Sequence, residues 1–193
     1  MNSERAKQFG KAMHLLDAGR AQDALGIGKC LLSSKDESYK LAGHLCVGLV
    51  YEEGGDDLAR DIDKAIFHYH HAASIAQDPI SFSYLARATM KKGVCEYPAA
   101  LRYLVEGANL GEPPEVLLGF AQYYRTKPEK DLILAKKYYL RAALRGRFAG
   151  FFGYSSTCRE LGQKGRALAM DVVRLIVGPF LALLFGRAAQ DRF

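Results

Sequence analysis

The stretch "AKKYYLRAALRG", residues 135–146, decides the fold, because two earlier stretches match it slot for slot. These are "AIFHYHHAASIA", residues 65–76, and "ALRYLVEGANLG", residues 100–111, so consecutive copies start 35 residues apart. His68, Tyr103 and Tyr138 share one slot; Ala73, Ala108 and Ala143 share a second; Ala76, Gly111 and Gly146 share a third. Small residues at helical spacing let two helices approach closely, and an aromatic side chain fills the gap beside them.

Each copy follows another helix-like stretch: "YKLAGHLCVGLVYEE", "ISFSYLARATMKK" and "PEVLLGFAQYYRT". Gly54-Gly55, Lys92-Gly93 and Lys127-Pro128 supply turns within the pairs, and Pro79, Pro113 and Pro114 mark where a new pair begins. Upstream, residues 9–32 read as one more pair broken at Gly19. Downstream, residues 150–177 fit a degenerate fifth pair, with Met170 at the alanine position. No stretch alternates apolar and polar residues over a useful length, which argues against strands. The expected fold is therefore all-α: a right-handed helical-repeat solenoid of about five helix pairs over residues 1–177, followed by a short apolar C-terminal helix within 178–193.

The alanine–aromatic slots of "AKKYYLRAALRG", with "GLVYEEGG" ahead of the first copy, resemble Sel-one-like repeats of the tetratricopeptide superfamily. The first pair looks closer to an ordinary tetratricopeptide unit. The resemblance covers most of residues 6–177 and is specific for the three repeats spanning 43–147. The sequence departs from the pattern where Tyr84 takes the place of Gly48 and Gly119, and in the fifth pair. What the resemblance implies is a non-catalytic protein-binding scaffold. Pentatricopeptide RNA binders share the period and would accommodate "AGRAQDAL", but the paired aromatics and the Ala-Ala near the end of the second helix fit them less well.

A chain of 193 residues with 49% hydrophobic and 25% charged residues has the composition of an ordinary globular protein. The net charge of +6 is unevenly placed: residues 1–96 carry 12 Lys/Arg against 13 Asp/Glu, and residues 97–193 carry 15 against 8. A basic second half suits an acidic protein partner, an anionic membrane surface or RNA. Cys30, Cys46, Cys95 and Cys158 form no CxxC pair, so they read as thiols in a reducing compartment, cytoplasmic or organellar, including mitochondrial. "MNSERAKQFGKAMHLL" has no apolar core and is not a secretory signal.

The chemistry-bearing clusters all have plainer readings. In "FHYHH", His68 and His71 lie on one helical face, but His68 fills the aromatic slot and no third ligand stands at a suitable spacing. "GIGKC" at Gly26 lacks the earlier glycine and the Ser/Thr of a phosphate loop. The acidic run "EEGGDDLARDID", residues 52–63, lacks calcium-loop spacing and reads as a turn opening a helix from Asp63. No enzyme, no cofactor and no metal is expected.

Partner binding is expected on three surfaces. The first helix of each pair lines the concave face of such an array, where side chains vary because packing does not constrain them. Tyr51, Arg87, Gln122 and Thr157 share one such position, with Tyr84 and Tyr123 nearby; Tyr51, Tyr84, Arg87, Gln122 and Tyr123 are the concave-face candidates. Lys137, Arg141 and Arg145 form a basic stripe at four-residue spacing. The run "LIVGPFLALLFG", residues 175–186, is too short and too interrupted at Gly178-Pro179 to span a membrane simply. It reads instead as a turn followed by a helix, docking through Leu175, Phe180, Leu181, Leu184 and Phe185 on a partner subunit or a membrane interface, flanked by Arg174 and Arg187.

Overall fold

A computed structural model describes the backbone of residues 3–185 and the side chains of residues 4–176. Among the described residues there are ten α-helices: α1 (Ser3–Asp17), α2 (Ala21–Leu32), α3 (Glu37–Glu53), α4 (Ile62–Ala76), α5 (Pro79–Lys92), α6 (Tyr97–Leu110), α7 (Pro114–Thr126), α8 (Leu132–Leu144), α9 (Phe148–Glu160) and α10 (Lys164–Phe185). A short 3-10 turn, Val94–Glu96, precedes α6. No β-strand occurs among these residues, only an isolated bridge between Gly55 and Leu58. The chain is a helical-repeat protein built from five helix pairs. It forms two compact units, Met1–Leu110 containing α1–α6 and Gly111–Phe193 containing α7–α10. Within each unit every helix packs on its sequence neighbour.

Local chemistry explains the boundaries. Asp36, Asp61, Asp78 and Asp131 each accept a hydrogen bond from a backbone N–H in the first turn of the following helix. Pro79 and Pro114 open α5 and α7, where a missing N–H costs nothing. The start of α4 therefore lies at its cap, Asp61, two residues before the Asp63 expected from sequence. The acidic run ahead of it is not merely solvated: the Asp57 carboxylate accepts from Gln22 N at 3.1 and 3.2 Å, on the first turn of α2. A carboxylate there meets the positive end of the helix dipole.

In the first unit, Ala12, Ala21, Ala24, Leu25, Cys46, Val47 and Val50 form one core among α1–α3. Ala65, Tyr69, Leu85 and Ala88 form the next, between α3 and α6. In the second unit Val116, Leu117, Ala135, Ala142 and Cys158 are fully buried. The alanine starts of the three repeats, Ala65, Ala100 and Ala135, are all at 0% exposure.

The aromatic slot fills the gap between helices, Tyr138 stacking on Phe120 and Tyr124 of α7, but it is not the deepest position. His68, Tyr103 and Tyr138 are half-buried, whereas the next position, Tyr69, Leu104 and Tyr139, is buried. Two helix–helix approaches depend on it. A Cβ at Gly48 would stand 2.5 Å from Cε1 of Tyr69, and one at Gly153 would overlap the ring of Tyr139. Only glycine lets α3 and α9 lie against those rings.

A second difference concerns Gly178-Pro179. No turn occurs there: the backbone of α10 continues through both residues to Phe185. Proline removes one helical hydrogen bond without obliging the chain to leave the helix. The dipeptide is flanked by Val177 and Phe180 rather than by the polar residues that stabilise a turn.

Candidate partner-binding surfaces

In the first unit, Arg87 does not stand free. Its Nε donates to Oε1 of Glu52 at 2.7 Å and its Nη2 to Oε2 at 2.5 Å. Lys91 Nζ lies 2.8 Å from Oε1, and the Tyr69 hydroxyl donates to Oε2 at 2.6 Å. Glu52 is fully buried at the C-terminal end of α3, so its lone pairs are satisfied entirely from α4 and α5. Burial alone would raise its pKa, but the hydrogen bonds and charge of Arg87, with Lys91 and Tyr69, hold it below the ordinary value. Burial, then the Glu52 charge, pushes the Tyr69 hydroxyl well above the usual tyrosine range. The Tyr84 ring stacks on Tyr69 at 5.5 Å, with the Arg87 guanidinium 4.8 Å above it. Tyr51 is half-buried between His68, at 6.2 Å, and Lys64, at 5.1 Å. Tyr51 and Tyr84 thus pack on one core cluster, and Arg87 is paired to the buried Glu52 while its side chain stays partly exposed.

The second unit holds a related arrangement with the charges exchanged. Arg125 of α7 pairs with Glu160 of α9, its Nε 2.9 Å from Oε1, and reaches Ser156 Oγ at 2.7 Å. Tyr139, the counterpart of Tyr69, hydrogen-bonds with the same Arg125. Gln122 is half-buried and its carbonyl accepts from Thr126 Oγ1. Tyr123 is buried and packs edge-to-face on Tyr124 at 5.2 Å. Thr157 is fully buried, its hydroxyl bonded to the Gly153 carbonyl.

The histidine pair acquires a third member that sequence spacing does not reveal. His44 of α3 places Nδ1 3.0 Å from Nδ1 of His68, and its ring stacks on His71 at 5.1 Å. Phe67 closes against His71 at 4.5 Å. Burial first, then the charges of His68 and His71, push His44 down to about 4; burial and His71 lower His68. Among the described residues no group of three His, Cys, Asp or Glu side chains is arranged to hold a metal ion.

A cleft of about 340 Å³ opens between α4, α5 and α6. Its floor is Ala73, Phe82, Leu85 and Tyr103; its rim is His70, Ser74, Gln77 and Glu106. Leu85 and Ala73 are buried, while all four rim residues are exposed. Gln77 ends α4 in a left-handed conformation, φ 43°, which draws the chain back at the cleft's edge. Sequence reading missed this site. The only signal was Tyr103, read as a gap filler, because the cleft assembles from three helices whose relative rotation no spacing reports.

The basic stripe is only partly neutralised, because two of its three cations share one carboxylate. Arg141 lies 2.6 Å and Arg145 3.6 Å from Oε2 of Glu112, and Arg147 pairs with Glu115 at 3.5 Å. Lys137 faces solvent. On α10, Ala167 is buried, while Leu168, Val172, Val173, Leu175 and Ile176 are exposed. Asp171 turns inward, accepting from Ser155 Oγ at 2.7 Å and pairing with Arg159. Arg174 covers the Phe152 ring at 4.1 Å. Leu175 is thus a solvent-facing member of the expected docking segment; the side chains of Phe180, Leu181, Leu184 and Phe185, and Arg187 altogether, lie outside the described residues. No helix among the described residues is long and apolar enough to cross a membrane. Of the four cysteines, Cys46 and Cys158 are buried, Cys30 and Cys95 are exposed, and all are free thiols.

No family model matches the chain. No curated protein matches it either. Among solved structures, one titled "MamA MSR-1 C2" is similar at 15% sequence identity and a TM-score of 0.47, the match covering 86% of this chain and 92% of that chain.

Proposed function

We propose that the protein is a non-catalytic protein-binding scaffold, an accessory subunit of a larger multiprotein assembly at or near a membrane. The carrying observation is the cleft between α4, α5 and α6. An apolar floor ringed by exposed polar groups is the anatomy of a protein–protein anchor point, and about 340 Å³ accommodates one large apolar side chain of a partner. Tyr51, Tyr84 and Gln122 are the concave-face residues we retain as partner contacts. Arg87 and Tyr123 serve the fold in this reading. The alanine slots at 65, 100 and 135 support placing the repeats in the Sel-one-like branch. Arg141 and Arg145 share Glu112 and Arg147 pairs with Glu115, which reduces but does not cancel the positive field and suits an acidic protein surface. The apolar exposed face of α10 supports the membrane part of the proposal.

Size exclusion of the protein from its native source tests the reading. A stable high-mass complex that dissolves when Tyr103→Ala and Glu106→Lys are introduced together supports an assembly subunit anchored at the cleft. A monomeric peak would favour an adaptor with an exchangeable partner. A high-mass complex indifferent to both substitutions would show the cleft to be the wrong surface.

A further inference from the structure

We infer that α10 lies in the interface of an anionic membrane through its solvent-facing side, as a peripheral anchor rather than a span. This rests on the membrane part of the reading above and not on its protein partner. At about 100° per residue, Leu168, Ala169, Val172, Val173, Leu175 and Ile176 fall on one continuous arc of roughly 160°. All six are exposed, with Leu168, Leu175 and Ile176 at 66%, 70% and 61%. The opposite arc, with Ala167, Met170, Asp171 and Arg174, is the side turned into the fold.

The edges of the exposed arc are cationic. Lys164 stands at one border and Arg166 at the other, and both are exposed. No carboxylate shares this arc: the acidic residue of α10, Asp171, is held on the buried side by Ser155, Arg159 and Arg174. An apolar stripe with one cation at each border, Lys164 and Arg166, both in the first turn, matches lipid, where the side chains enter the acyl boundary and the cations reach headgroup phosphates. A second copy seated on the same face would offer the rim cations no acid, whereas anionic headgroups satisfy both borders. The surroundings agree, since residues 111–193 carry 14 Lys/Arg against 7 Asp/Glu.

Comparison with α8 shows that the arc is not an ordinary outer surface. Leu168 and Val172 stand 35 residues after Ile133 and Lys137, which are exposed on α8. The cations Lys137 and Arg141 of α8 are replaced by Val172 and Ile176, whereas Ile133 and Leu140 are already apolar there. Nor are residues 164–176 free to span a bilayer, because the opposite arc is held on α9 through Asp171 and Arg174 and is not open to lipid on that side.

The test uses the full chain and lipid alone. Flotation with phosphatidylcholine vesicles containing about one third phosphatidylserine should carry the protein upward at low salt, with much weaker flotation on pure phosphatidylcholine. Lys164→Glu with Arg166→Glu should lower partitioning onto the anionic vesicles by roughly tenfold or more. Leu168→Ser with Ile176→Ser should abolish it while leaving helical circular dichroism intact, since both positions are exposed. Independently of any variant, hydrogen exchange on the native chain should show vesicle-dependent protection confined to α10. Absence of flotation, partitioning unchanged by both variants, or a concentration-dependent dimer lost with Leu168→Ser and Ile176→Ser would each overturn the inference. Because no protein partner is used, these outcomes are independent of whether the cleft binds one.

Discussion

Arg87 and Glu52 stand 35 residues apart in sequence, one repeat period, and meet through two hydrogen bonds of 2.7 and 2.5 Å. The pair joins the first helix of one repeat to the first helix of the next, with Tyr69 of the intervening helix closing the third side. Arg125 and Glu160 are also 35 residues apart and bridge α7 to α9 beside Tyr139, with acid and base exchanged. A tyrosine buried between two first helices, bonded to a charge pair that ties them, sets how adjacent repeats sit within each unit.

Removing one partner should be far worse than removing both. Arg87→Met leaves a buried carboxylate with only Lys91 and Tyr69 and should cost about 3–5 kcal/mol by urea unfolding. Glu52→Met together with Arg87→Met should recover a large part of that loss. A cost below about 1 kcal/mol for the single variant would mean that the pair behaves as a surface ion pair. Since the folded state holds the Glu52 pKa below its ordinary 4.5, the stability it adds is present above that value and is lost as pH falls further.

Two glycines should resist alanine and two should welcome it. At Gly48 and Gly153 a Cβ meets the rings of Tyr69 and Tyr139, which hydrogen bonds to Glu52 and Arg125 prevent from moving aside. Alanine there should destabilise by about 1–3 kcal/mol. At Gly10 and Gly26, helical positions with open space where a Cβ would go, alanine should stabilise by roughly 0.5–1 kcal/mol. Thermal denaturation of the four variants separates the cases.

The histidine cluster should make the first unit sensitive to mild acid. His44 is held near 4 in the fold but returns to about 6.5 when unfolded. Its contribution is therefore complete above pH 6.5 and declines as pH falls toward 4, because the unfolded chain takes up the proton first. His68 acts in the same direction. Replacing His44 with Phe should flatten the pH dependence of the unfolding midpoint over that window. An unchanged slope would assign the acid sensitivity elsewhere.

Asp57 should behave as a cap supplied from a distance. Its carboxylate receives the Gln22 N–H on the first turn of α2, and Asp57→Ala should cost about 1 kcal/mol. Asp57→Asn should cost less, because an amide oxygen also accepts that hydrogen bond. Equal losses would indicate that the charge, not the acceptor, is what α2 needs.

The period of 35 and the helix pairs follow from sequence alone, because equivalent residues in a repeat meet equivalent surroundings. Of the small-residue slots, however, Ala73 and Ala143 are buried while Ala76 and Gly146 are exposed. Spacing tells which residues correspond; it does not tell how far each helix is rotated about its axis. Neighbouring positions differ by about 100° around a helix, so His68 and Tyr69, or Tyr138 and Tyr139, compete for the same inward place. Packing decided for Tyr69 and Tyr139, since their hydroxyls reach the charges of Glu52 and Arg125. The same rotations brought His44 against His68, set Arg87 on the buried Glu52 carboxylate, and assembled the cleft from α4, α5 and α6. At Gly178-Pro179 the local turn signal was overridden, because an apolar helix that continues keeps its backbone hydrogen bonds while a turn among apolar residues loses them. Periodicity is a one-dimensional property that the chain carries openly; charge pairs, clefts and the exposed side of a terminal helix arise only when rotations about several axes are chosen together.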